Sequence, residues 1–94
     1  MEKRVMSREN EILSLLKLSS KVVGTKQVLR GISEGTVGCV IVAEDAERAL
    51  TDKVVGAAES AGIPVLHAPD MAWLGRASGI EVGAAAVGVG VRED

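Results

Sequence analysis

"VGCVIVAEDAERALTDKVVGAAESAGIPVLHA", Val37 to Ala68, decides the fold class. Its first seven residues, Val37 to Ala43, are nearly all apolar and β-branched without alternation, the pattern of a strand covered on both faces. The middle then reads as a helix with Ala46, Ala49, Leu50, Val54, Ala57, Ala58 and Ala61 on one side. Glu44 and Asp45 stand where a helix dipole favours acids, and Gly62 closes the segment. Ile63 to Ala68 is a second buried strand. A strand, a helix and a strand in alternation favour a mixed or largely parallel sheet with helices on both faces.

Working outward, Ser7 to Leu18 places Ile12, Leu15 and Leu16 on one helical stripe, widened by Leu13, with Arg8, Glu9, Glu11 and Lys17 opposite and Ser7 as N-cap. Val22 and Val23 form a short extended stretch. Gly24 to Glu34 is a second helix, closed by Gly35 and carrying Gly31 as an interior flaw. Beyond Ala68, Asp70 caps a short helix through Ala77, and Gly83 to Val91 is a last strand. Alternating strands and helices predict a three-layer α/β/α sandwich with a mixed central sheet. With 94 residues, below the usual size of about 100 to 150, the chain is expected to form a single domain, 1–94.

Composition narrows the function. An apolar fraction of 47% with 26% charged residues suits a soluble globular protein, and no apolar run approaches the roughly 20 residues needed to span a bilayer. The N-terminal "MEKRVMSREN" carries no apolar signal segment, so a cytoplasmic location is the default expectation and no membrane partner is expected. One cysteine, Cys39, and one distant histidine, His67, suggest neither a disulfide nor a zinc site. No metal or cofactor is expected. Eleven Lys and Arg against 13 Asp and Glu give a formal charge of −2, so any nucleic-acid site must be local. Without Phe or Tyr, and with Trp73 alone, stacking on several aromatics is close to excluded.

Catalysis finds little support. His67 follows an apolar strand segment, Cys39 lies inside one and behaves there as a small hydrophobe, and Trp73 reads as a packing residue. Neither a positioned proton carrier nor a nucleophile beside one is recognisable. No catalytic residue is assigned and the chain is not expected to be an enzyme.

Two stretches carry more. In "VVGTKQVLRG", Val22 to Gly31, a glycine opens a helix whose first N–H groups are unpaired, Thr25 adds a hydroxyl and Lys26 a charge, a combination suited to phosphate. Gln27 can read an adenine edge, while Lys26 and Arg30, four residues apart on one face, can reach guanine acceptors. An ordinary solvated helix start is the alternative, and the spacing is not that of a P-loop. In "LGRASGIEVGAAAV", Leu74 to Val87, two apolar residues sit in a glycine-flanked loop. Either Ile80 and Val82 turn into the core with Glu81 exposed, or the loop stays free to pack on bases or ribose.

With "VIVAEDA" and the "IPV" strand, these stretches resemble, in order and spacing from about Leu18 to Val91, the kink-turn-binding ribosomal proteins named L-seven-Ae and L-thirty-e, especially their small bacterial YbxF-like relatives. The resemblance implies the same α/β/α sandwich. It also implies an RNA-binding protein that recognises and stabilises a kink-turn, an internal loop with tandem sheared G·A pairs and a bulge. By position, Gly24, Thr25, Lys26, Gln27 and Arg30 would meet the G·A pairs, while Gly79, Ile80, Glu81 and Val82 would pack on the extruded nucleotide. Lys26-Gln27 stands where archaeal members carry Asn-Glu, and Arg30 where lysine is commoner.

The implied partner is a kink-turn in ribosomal RNA or of riboswitch type, with the ribosome as a further possible partner and a monomer as the default state. Two other readings stay open: a ribosome-associated protein-interaction module that has lost RNA binding, and a small-molecule phosphate binder.

Overall fold

Strand β2 (Val37–Ala43) is flanked on both sides, and the whole chain is arranged about it. A computed structural model describes residues 8–18 and 20–90. In chain order these are α1 (Arg8–Leu18), β1 (Lys21–Val23), α2 (Thr25–Glu34), β2, α3 (Arg48–Ser60), β3 (Val65–Ala68), α4 (Met71–Ala77) and β4 (Ala86–Gly90). The four strands form one sheet in the order β1-β4-β2-β3. β2 and β3 are parallel, while β4 is antiparallel to both β1 and β2. The sheet is therefore mixed.

Alternation along β2 explains its unbroken apolar run. Val40 and Val42 pack with Val28 of α2 and with Val54 and Ala58 of α3. Ile41 and Ala43 turn the other way, toward Ile12 and Leu16 of α1 and Leu74 of α4, joined by Val87 and Val89 of β4. Helices thus cover both faces, giving the three-layer α/β/α architecture. Pro64 lies just before β3 because it has no N–H to donate, yet its carbonyl still accepts from the Val40 N–H at 3.0 Å.

The helix boundaries follow from their caps. Gly35 sits in the left-handed region at φ 76°, and the Thr36 N–H reaches back to the Gly31 carbonyl at 2.9 Å, ending α2 in a Schellman motif. Asp70 caps α4, its Oδ1 accepting from the Trp73 N–H at 2.7 Å. The expected cap Ser7 and the last residue of the expected final strand, Val91, lie outside the described residues.

Helix α3 departs from expectation at its start and on its buried face. Glu44 and Asp45 are not in its first turn: it begins at Arg48, Glu47 is the N-cap, and no side chain caps it. The strand pairing continues too far for an earlier start, since the Ala43 N–H donates to Ala85 O at 2.9 Å and the Glu44 N–H to Ala68 O at 3.0 Å. Its buried residues are Thr51, Val54 and Ala58, while Ala49 and the C-cap Ala61 are exposed. Leu50, expected inside, is 37% exposed.

Gly31 is a packing requirement rather than a flaw. A register shift in β2 between Val37 and Cys39 turns Val37 onto the α2 side of the sheet. There the Val37 side chain occupies the place a Cβ at Gly31 would take, and its Cγ2 also lies 3.0 Å from where a Cβ at Gly88 would stand. Two glycines thus admit one valine, and α2 settles onto the sheet. Because β-branched Val37 is stiff at χ1, it cannot swing aside. Gly31→Ala should therefore lower stability: overpacking costs about 1–3 kcal/mol, against the ~1 kcal/mol that alanine gains as a helix former. Thermal unfolding of Gly31→Ala should show a lower Tm than the parent. Val37→Ala in the same chain should recover part of the loss, a coupling that independent sites would not show.

Candidate nucleic-acid interface

Because β4 runs against its two neighbours, its first residue lies at the same end of the sheet as the last residues of β1, β2 and β3. The Gly24 turn into α2, the Glu44–Glu47 turn into α3, and the Ser78–Ala85 loop that precedes β4 therefore share one rim. Val23 pairs with Val87, and the Gly24 N–H donates to Ala86 O at 2.9 Å, extending the ladder one residue to the first turn of α2. Two stretches more than fifty residues apart in the chain are brought to one end of the sheet by this bond.

At Gly24 the backbone adopts φ 108° and ψ 144°, a conformation strained for any residue with a Cβ. The Gly24 carbonyl accepts from the Val28 N–H at 2.9 Å, the first hydrogen bond of α2. Thr25, Lys26 and Gln27 therefore have no acceptor one turn back for their N–H groups, and no side chain caps the helix. These amides and the positive end of the helix dipole face the rim. Val28 and Gly31 are buried, whereas Lys26, Gln27 and Arg30 are exposed on the outer side of α2. Arg30 is held in part: its Nε donates to Glu34 Oε2 at 3.2 Å, with the two side chains 74% and 55% exposed. An exposed i,i+4 pair of this kind contributes only about 0.3–0.5 kcal/mol, so the guanidinium can exchange partners at little cost.

The loop before β4 divides the two readings of "GIEV". Gly79, at φ 85°, turns the chain out of α4. Ile80 is half-buried against the core on the α1 and α4 side. Glu81 is exposed, and Val82 is 71% exposed with its apolar side chain in solvent. Ile80 is thus a packing residue and Val82 a free one.

Sequence reasoning missed the turn carrying Glu44, Asp45 and Glu47, which lies at the same rim. Glu44 and Asp45 read in sequence as a helix start, but Asp45 instead accepts from the Met71 N–H at 2.8 Å. Nothing local in the sequence signals that bond, which spans 26 residues. His67 is exposed and lines a cleft of about 450 Å³ with Glu44, Arg48, Thr51 and Asp52, where the Thr51 hydroxyl donates to the Arg48 carbonyl at 3.3 Å. Cys39 is partly buried on the α1 side, and burial pushes its thiol above the ordinary value, leaving little thiolate at neutral pH. Trp73 packs against the same core. Among the described residues, no three His, Cys, Asp or Glu side chains stand where they could hold a metal ion, and no helix is long and apolar enough to cross a membrane.

The chain is 48% identical over 75 residues to an RNA-binding protein of Geobacillus sp. strain WCH70, a match covering 80% of this chain and 92% of that protein. It is 45% identical, over the same shares, to the RNA-binding protein YbxF of Geobacillus stearothermophilus. In fold it is similar to a Bacillus halodurans protein of unknown function, with a TM-score of 0.75 and 31% identity over 84% of this chain and 83% of that one. It also matches the fold of the Giardia lamblia 15.5kD RNA binding protein, with a TM-score of 0.83 and 23% identity over 96% and 79%. The model of the Ribosomal protein L7Ae/L30e/S12e/Gadd45 family matches residues 8–94, and the chain belongs to that family.

Proposed function

We propose that this protein binds RNA, recognising a kink-turn and stabilising its bent form, without catalysis. The observation that carries this is the convergence at one rim of the uncapped first turn of α2, its exposed Lys26, Gln27 and Arg30, and the loop bearing exposed Val82. Family membership and the names of the relatives support it.

In this reading Gly24 and Thr25 let the helix N-terminus approach phosphate, where unpaired amides and the dipole attract negative charge. Lys26, Gln27 and Arg30 contact base edges and backbone at the G·A pairs, which the bent loop exposes as regular A-form RNA does not. The Gly79–Val82 loop covers the bulged nucleotide, with exposed Val82 supplying apolar surface beside half-buried Ile80. Bending follows from population shift, because a ligand favours the conformer it binds better. The protein acts as a cytoplasmic monomer, on a kink-turn of ribosomal RNA or of riboswitch type.

The test is a titration of kink-turn RNA against a control whose G·A pairs are replaced by Watson-Crick pairs, at two salt concentrations. Tight binding to the first and weak binding to the second is expected. Equal weak binding to both would overturn the proposal and favour a protein-interaction module. Lys26→Ala and Arg30→Ala should each weaken kink-turn binding by about 1–3 kcal/mol if the side chain reads a base, and should lower the salt slope by about one unit if it meets a phosphate. Glu34→Gln should have the opposite sign, tightening binding about twofold as Arg30 is released from a pair worth ~0.3–0.5 kcal/mol. That gain should vanish when Arg30 is already alanine.

A further inference from the structure

The loop before β4 is tied down from both ends, and one of its ties passes through a residue the proposed contacts do not use. The Ile80 N–H donates to Gly75 O and the Ala84 N–H to Met71 O, each at 3.0 Å. Between those bonds the Val82 carbonyl lies where a Cβ at Gly75 would stand, so loop and α4 are in backbone contact. The position of exposed Val82 is therefore set by the position of α4. Two carboxylates fix the start of α4: Asp70, its local N-cap, accepts from Trp73 N–H, and Asp45 accepts from Met71 N–H. Asp70 alone supplies an ordinary cap. Asp45 adds a tie to the turn after β2, which is itself bonded to the sheet through Glu44 N–H to Ala68 O. The circuit closes where Ala43 N–H donates to Ala85 O at 2.9 Å, at the far end of the loop.

We propose that Asp45 is a positioning residue for recognition: by tying the β2–α3 turn to α4, it holds Gly79–Val82 where Val82 meets an unpaired nucleotide. This rests on the RNA reading above. Asp45 needs no contact with RNA to do so, and its effect is confined to the half of the interface that the loop supplies. Recognition of the G·A pairs by α2, which hangs from β1 and β4, is independent of it.

The test compares the full chain with Asp45→Ala, which removes the acceptor, and Asp45→Asn, which keeps an oxygen for the Met71 N–H. Amide hydrogen exchange of the free proteins should be faster at Ile80 and Ala84 in Asp45→Ala and close to the parent in Asp45→Asn. Titration with kink-turn RNA, and with the same RNA lacking the bulged nucleotide, should show the preference for the bulge falling about fivefold to tenfold in Asp45→Ala, with asparagine restoring it. Discrimination against the Watson-Crick control should persist in both variants. Unchanged exchange and an unchanged bulge preference in Asp45→Ala, or equal losses in both variants, would overturn the inference while leaving the RNA reading intact. A parent protein that does not prefer the kink-turn to its control would overturn both.

Discussion

Everything at the rim depends on the insertion of β4 between β1 and β2, antiparallel to each. A fourth parallel strand in that place would start at the opposite end of the sheet, taking the Ser78–Ala85 loop with it. As built, the last strand begins where the other three end. Carbonyls at its start then anchor both neighbours, Ala86 O holding the Gly24 N–H and Ala85 O, at the end of the loop before it, the Ala43 N–H, each at 2.9 Å. Helix α2 starts directly from the first of these bonds. Its uncapped first turn is thereby fixed to the strand that the loop leads into. Ligands of open α/β sheets commonly sit beyond the carboxyl ends of the strands, and here a reversed strand contributes to that end as well.

Close approach of backbone does much of the remaining work, and glycine makes it possible at two points. On one face Gly31 gives way to Val37, which seats α2 on the sheet. On the other, Gly75 gives way to the Val82 carbonyl, which seats the loop on α4. Both elements of the proposed interface are thus supported by contacts too near for a side chain to intervene. A site held this way is largely preformed, which limits the entropy lost when a ligand orders it.

Layers and element order were legible in the sequence because they rest on periodicity and caps, which are local. The unbroken run Val37–Ala43 meant burial on both faces, and Asp70 and Gly35 marked helix ends where they are found. The errors share a different cause. Glu44 and Asp45 look like a helix start, but pairing of Ala43 and Glu44 with residues far along the chain delays α3 to Arg48 and sends Asp45 to another helix. Gly31 looks like a defect until a register shift in β2 places Val37 against it. The two stretches of the candidate interface were visible separately; their common location depends on β4 lying beside β1, a long-range pairing that residue periodicity does not specify. Likewise Ile80 and Val82 are equivalent in an apolar loop, and only the position of α4 separates the packed residue from the exposed one.

The acidic balance of the chain is consistent with the binding mode proposed here. Affinity for any polyanion that relies on counterion release grows with the number of phosphates met by Lys and Arg, and it is indifferent to sequence and shape. At this rim Lys26, Arg30 and Arg48 stand beside the acids Glu44, Asp45, Glu47 and Glu81, all exposed. The acids weaken attraction to a regular duplex, whose phosphates would approach the rim broadly. They weaken less the approach of a bent loop, which can offer a phosphate to the first turn of α2 and a base to Val82. The attraction at that turn comes from backbone amides and the helix dipole and extends little beyond the turn itself. In the proposed binding mode, a short-range attractive site beside exposed acids favours by shape an RNA already bent, or readily bent, over a regular duplex.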